Sequence, residues 1–105
     1  MEKEKQILTI EKNVNGGNIT LKIVGRLDTT TAPQLEEAVV AAAAEAKDLL
    51  LDCAELAYVS SAGLRVILKA QKAMAAKGGM KLLHVNETIM EIFEITGFSH
   101  ILTIE

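Results

Sequence analysis

A chain of 105 residues holds one hydrophobic core and is too short for two. Half of the residues are hydrophobic, 24% are charged and only 3% are aromatic, so a globular domain with an aliphatic core is expected. The net charge of −3 argues against direct nucleic-acid binding, and a single cysteine, Cys53, excludes an intrachain disulfide and any cysteine-rich metal centre.

No apolar run approaches the roughly 18 residues of a membrane span. The polar opening Met1-Glu2-Lys3-Glu4-Lys5-Gln6 is unlike a signal peptide, so a cytoplasmic protein with no membrane partner is expected. Ile7, Leu8 and Ile10, interrupted by Thr9 and Glu11, predict a first strand. Asn15-Gly16-Gly17-Asn18 is a strong turn signal, and Ile19, Leu21 and Ile23 then alternate with Thr20 and Lys22 at the period of a half-buried strand. Together they predict an antiparallel hairpin ending at Gly25. The glycine pair lies between strands and not before a helix, so it reads as a turn rather than a phosphate loop.

Gly25-Arg26-Leu27-Asp28-Thr29-Thr30-Thr31 is a polar crossing into the first helix, and Asp28 there reads as a local cap or a solvated charge. Thr31 with Gln34 fits a capping box, and Pro33 suits a first helical turn. Leu35, Ala38, Val39 and Ala42 form the inward stripe, with Glu36, Glu37 and Glu45 outside.

Asp48 leads into a third strand over residues 49–52, whose continuous Leu49-Leu50-Leu51 run predicts cover on both faces. Cys53 reads as a small packed apolar residue. Tyr58-Val59 is too short for another long strand and is expected to tuck its side chains under a turn. Ser60 or Ser61 then supplies a side-chain oxygen to the free N–H groups that open a helix over residues 61–77. Leu64, Ile67, Leu68, Gln71, Met74 and Ala75 share one face of it, Arg65, Lys69, Lys72 and Lys77 point outward, and Gly78-Gly79 ends it. Arg65 follows Ser61 by one turn, within reach of that hydroxyl or of a phosphate on it.

Met80, Leu82, Leu83 and Val85 predict a fourth strand. Asn86 caps a third helix with Ile89, Met90, Ile92 and Phe93 inward and Glu87, Glu91 and Glu94 outward; Gly97 ends it, and Ile101, Leu102 and Ile104 predict a short last strand. Strands separated by helices imply a largely parallel sheet with right-handed crossovers. His84 and His100 have no partner at ligand spacing and read as structural. A serine at a helix start invites a hydrolase reading, but Val59-Ser60-Ser61-Ala62-Gly63 lacks the first glycine of a nucleophile elbow. With no phosphate-loop or dinucleotide fingerprint either, neither enzymatic activity nor a bound cofactor is expected.

Leu51-Asp52, a short linker and Tyr58-Val59-Ser60-Ser61-Ala62-Gly63-Leu64 resemble the signature of the STAS domain, in particular of bacterial anti-sigma factor antagonists. Gly25-Arg26-Leu27-Asp28 and Ile95-Thr96-Gly97-Phe98 agree, so the resemblance spans nearly the whole chain. It implies a single α/β domain over residues 1–105: a mixed, mostly parallel sheet, an N-terminal antiparallel hairpin and three main helices.

The resemblance also implies a function. The serine directly before the Ala-Gly-Leu run, here Ser61, is the one a partner kinase phosphorylates in the family. The residue before it is often Asp in the best-known members and is Ser60 here, so the residues alone leave open which serine is modified. The acid matching Asp28 contributes to the family's partner surface, and Asp28, Ser60, Ser61, Gly63, Leu64 and Arg65 are the candidate partner-binding residues. The implied partners are an anti-sigma factor of the serine-kinase type, bound by the unphosphorylated form, and a serine phosphatase that reverses the modification. A constitutive interaction subunit of a transporter or lipid-trafficking complex, without a phosphorylation cycle, is the alternative.

Overall fold

The structure, a computed structural model, describes residues 8–105. The polar opening and Ile7, expected to begin the first strand, lie outside the described residues. Strands β1 (Leu8–Asn15) and β2 (Asn18–Leu27) form the expected antiparallel hairpin, closed across Asn15↔Asn18. Helix α1 (Ala32–Glu45) follows, then β3 (Asp48–Asp52), β4 (Leu56–Val59), helix α2 (Ser61–Met74), β5 (Met80–Leu83) and helix α3 (Glu87–Thr96). A single 3-10 turn, Phe98–His100, leads to the C-terminal segment.

The sheet runs β1-β2-β3-β5, with β4 also paired to β2, and every pairing except the hairpin is parallel. The ten-residue β2 serves two neighbours in line. Its first half pairs with β3 from Asn18↔Asp48 to Lys22↔Asp52, and its last residues pair with β4 through Arg26↔Tyr58 and Leu27↔Val59. The register shifts between Gly25 and Arg26, where Gly25 takes a φ of 114° that a side chain would strain, and its N–H donates to the Glu55 carbonyl.

One face of the sheet carries the core. Ile19, Leu21, Ile23 and Leu27 of β2, Leu49 and Leu51 of β3, and Met80 and Leu82 of β5 are all buried there. Leu35, Val39 and Ala42 of α1 and Ile67, Ala70 and Met74 of α2 cover them, and Ile89 and Phe93 of α3 close the core beside β4. The other face is open. Leu50, expected to be covered on both sides of its strand, is only half-buried, and Thr20, Lys22 and Val24 share that exposure. Across it Glu11 lies opposite Lys22 and Lys22 opposite Asp52, a row of alternating charge that suits a solvated surface. Exposed charge is divided by helix: Glu37 and Glu45 on α1, Arg65, Lys69 and Lys72 on α2, and Glu87, Glu91 and Glu94 on α3.

Several elements differ from expectation for identifiable reasons. The Thr31–Gln34 capping box does not form, because the Gln34 amide donates instead to the Leu8 carbonyl at 2.8 Å and Thr31 Oγ1 donates to the Arg26 carbonyl at 2.8 Å. Residues 56–59 form a true strand once β2 offers an edge; Val59 is buried, but Tyr58 points out. Helix α2 stops at Met74 rather than 77. Lys77 donates to the Ala43 carbonyl, and Gly78 sits where a Cβ would fall 2.1 Å from Asp48 Oδ1, so the chain must leave the helix to pass this loop. Strand β5 ends before Val85, since His84 adopts a φ of 54°, and the expected last strand reduces to a bridge between Leu82 and Ile104.

Candidate functional site

The carboxyl ends of β2 and β4 lie side by side; β4 passes through Ser60 into α2, and β2 through the turn of residues 28–31 into α1. The Ser60 N–H donates to the Leu27 carbonyl at 2.8 Å, which extends the β2–β4 ladder by one bond and fixes where α2 begins. Ser60 has the extended backbone of an N-cap (φ −90°, ψ 175°), and its hydroxyl oxygen accepts the Gly63 N–H at 3.3 Å. Ser61 is the first residue of the helix, is exposed, and its hydroxyl has no protein partner among the described residues. The two adjacent hydroxyls therefore do different things: one is committed to the helix start and the other faces solvent.

Gly63 and Leu64, expected on the partner surface, are both buried. A Cβ on Gly63 would sit 2.6 Å from Leu27 Cγ and 3.1 Å from the Leu27 carbonyl oxygen. Only glycine lets the first turn of α2 rest on the end of β2. Leu64 is 6% exposed and packs in the core, so both residues set the position of the serines and lie beneath the surface.

Asp28 stands on the neighbouring strand end, one residue past the Leu27↔Val59 pair. Its Oδ1 accepts from the Thr30 hydroxyl at 2.7 Å, the Thr30 N–H at 3.0 Å and the Thr31 N–H at 3.1 Å, while its carbonyl accepts the Ala32 N–H at 2.8 Å. Asp28 thus organises the start of α1 as a local cap, one of the two roles its position suggested, while the capping box expected of Thr31 does not form. The Thr30 hydroxyl foremost, with the Thr31 and Thr30 N–H groups, outweighs partial desolvation and holds the Asp28 carboxyl below its ordinary range. Beside it, the Arg26 guanidinium lies 4.4 Å from the Tyr58 ring centroid, and its Nε is 4.0 Å from Asp28 Oδ2. Sequence reasoning placed neither Arg26 nor Tyr58 at the site. The signal was available in the matched triplets Arg26-Leu27-Asp28 and Tyr58-Val59-Ser60, each a buried residue between two that face outward.

Arg65 is exposed, one turn along from Ser61, in the wall of an open groove of about 410 Å³ between α1 and α2. Ala32, Pro33, Ala62 and Val66 supply its apolar surface, and Glu36, Lys69 and Lys72 its charge. The remaining candidates lie elsewhere. Cys53 is buried, and desolvation pushes its thiol up to about 12, which leaves it protonated and unreactive at neutral pH. His84 Nδ1 is 3.1 Å from Asp52 Oδ1. Burial alone would raise the Asp52 carboxyl, but the Ala54 N–H and His84 together hold it below its ordinary value. Among the described residues, no three His, Cys, Asp or Glu side chains gather to hold a metal ion.

These features define a class: a small α/β domain of parallel βα units behind an antiparallel hairpin, presenting a hydroxyl where a strand end meets a helix start. Comparison with known proteins narrows it. The STAS domain pattern matches residues 9–105. The anti-sigma-B factor antagonist of Bacillus subtilis (strain 168) is 31% identical over 98 residues, covering 92% of this chain and 90% of that protein. The crystal structure of an anti-sigma factor antagonist from Mycobacterium paratuberculosis superposes with a TM-score of 0.85 at 20% identity, over 93% of this chain and 85% of that one. The Bacillus cell fate determinant SpoIIAA in the phosphorylated form superposes with a TM-score of 0.70 at 18% identity, over 94% and 91% of the two chains. The chain belongs to the STAS domain family, and its fold is the single α/β domain with mixed sheet that the resemblance implied.

Proposed function

We propose that this protein is an anti-sigma factor antagonist whose docking to a serine-kinase anti-sigma factor is ended by phosphorylation of Ser61 and restored by a serine phosphatase. The observation that carries the reading is the division of labour between the two serines. Ser60 spends its oxygen on the Gly63 N–H, whereas Ser61 offers a solvent-exposed hydroxyl on the rim formed with Asp28. The similarity to a B. subtilis protein named an anti-sigma-B factor antagonist supports the partner class, and a phosphorylated form of a protein with this fold supports the chemistry.

Magnitudes favour a switch of binding over a switch of fold. Phosphoserine adds about −1.5 to −2 charges at neutral pH. At the first residue of α2 that charge faces the positive end of the helix, which favours it by roughly 0.3–1 kcal/mol. Buried unpaired against a fitted partner surface, the same charge costs several kcal/mol, and each ~1.4 kcal/mol is tenfold in affinity. ATP and Mg²⁺ belong to the kinase in this scheme. Incubation with ATP, Mg²⁺ and the cognate kinase, followed by mapping of the phosphate by mass spectrometry, should place the label on Ser61. Ser61→Ala should bind the kinase and resist labelling, while Ser61→Asp should bind poorly and melt like wild type. Label on Ser60, or none on the chain, would overturn the assignment.

A further inference from the structure

Among the described residues, most cations have partners. Lys12, Lys22, Lys69 and Lys81 each meet a glutamate, Lys77 donates to the Ala43 carbonyl, and Arg26 lies over Tyr58. Arg65 differs. Among the described residues its guanidinium meets no carboxylate, carbonyl or ring, although it stands in the wall of the α1/α2 groove beside Ala62. The acid on that wall, Glu36, is engaged by Lys69.

Position matters as much as availability. Side chains four residues apart on a helix are neighbours, with Cβ atoms about 5–6 Å apart, and helical side chains lean toward the helix start. From the wall of the groove, an arginine at 65 has the helical spacing and reach to turn back to a group on residue 61. Lys72, the other cation on this face without a partner among the described residues, is two further turns away.

We propose that Arg65 is the intramolecular receptor for a phosphate on Ser61, its guanidinium closing a forked, charge-assisted pair with two phosphate oxygens. This rests on the reading of Ser61 as the modified residue. Phosphorylation then has two effects at one corner of the molecule: it adds an anion to the rim and draws a cation away from the groove. A carboxylate at position 61 has a shorter reach and only two oxygens, so it engages Arg65 less fully than phosphate does.

The test installs phosphoserine at position 61 of the full chain during synthesis, with no kinase involved, and follows its second ionisation by ³¹P NMR. A guanidinium paired with the phosphate favours the dianion. The titration midpoint should therefore lie lower in the wild type than in Arg65→Gln, by about 0.5 pH unit for an exposed pair. Arg65→Lys should recover part of the shift, raised salt should shrink it, and Lys72→Gln should leave it unchanged. Equal midpoints in wild type and Arg65→Gln, or an equal displacement in Lys72→Gln, would overturn the proposal. Because the phosphate is installed directly, equal midpoints refute the Arg65 pairing even if the kinase labels Ser61. Failure of the kinase to label Ser61 refutes the functional reading alone.

Discussion

Replacing Gly63 with alanine tests whether the serine pair is held in place by the contact between α2 and the end of β2. The new methyl would lie 2.6 Å from Leu27 Cγ and 2.9 Å from Leu27 Cδ2, well inside contact distance. Leu27 cannot retreat easily, since it is 0% exposed and its carbonyl is held by the Ser60 N–H at 2.8 Å. Overpacking of this kind costs about 1–3 kcal/mol. Alanine recovers roughly 0.4–1 kcal/mol by restricting the unfolded chain. The net loss is roughly 1–2 kcal/mol, which for a domain of this size lowers the melting temperature by about 5–15 °C. Thermal and urea denaturation followed by circular dichroism measure it directly. The double variant Gly63→Ala/Leu27→Ala adds a sharper criterion. Leu27→Ala alone opens a cavity and costs about 2–5 kcal/mol, but it also makes room for the methyl, so the two losses should fall short of additive by about 1 kcal/mol. A Gly63→Ala protein as stable as wild type, or strictly additive losses, would show that this contact does not set the start of α2.

Two further outcomes follow from the same rim. Ser60→Ala removes the cap of α2 and should cost about 1 kcal/mol, whereas Ser61→Ala should stay within roughly 0.5 kcal/mol of wild type; equal losses in urea titrations would contradict the separation of roles. The Asp28 carboxyl is depressed in the fold, so the folded chain binds fewer protons there than the unfolded one. Its stabilisation is complete above the unfolded value of about 4 and fades as pH falls through the lower folded value. Asp28→Asn should flatten the fall in urea midpoint below pH 4, leaving the smooth contribution of Asp52, and an unchanged pH profile would refute the role of the Thr30 and Thr31 bonds.

What could be read from the residues depended on how local the cause was. The hairpin was legible because Asn15-Gly16-Gly17-Asn18 demands a turn whatever surrounds it, and α3 because Asn86 and Gly97 mark both ends, Asn86 Oδ1 accepting the Ile89 N–H at 3.0 Å. Strand β4 was not legible as a strand, since four residues acquire that state only from the edge of β2, more than twenty-five positions earlier in the chain. The capping box at the start of α1 was misassigned because Asp28 and Thr31 both offer oxygens in range, and only the fold sends Thr31 to Arg26 and Gln34 to Leu8. At the site, the serine pair and Asp28 stood out in the sequence. The geometry added which hydroxyl caps the helix, and that Gly63 and Leu64 work from beneath the surface. The Arg26–Tyr58 stack depends on a register across two strands, which no window of sequence contains.

The distribution of charge on the outside has a consequence for how this molecule meets others. The bare sheet face, where Glu11, Lys22 and Asp52 alternate, is its own counter-ion and projects little field into solution. Cations stand on α2 and acids on α1 and α3, so the exposed charge is divided by helix in a way that the small net charge conceals. In the last nanometre of diffusion, about one screening length in physiological salt, a charged surface would turn this domain before touching it.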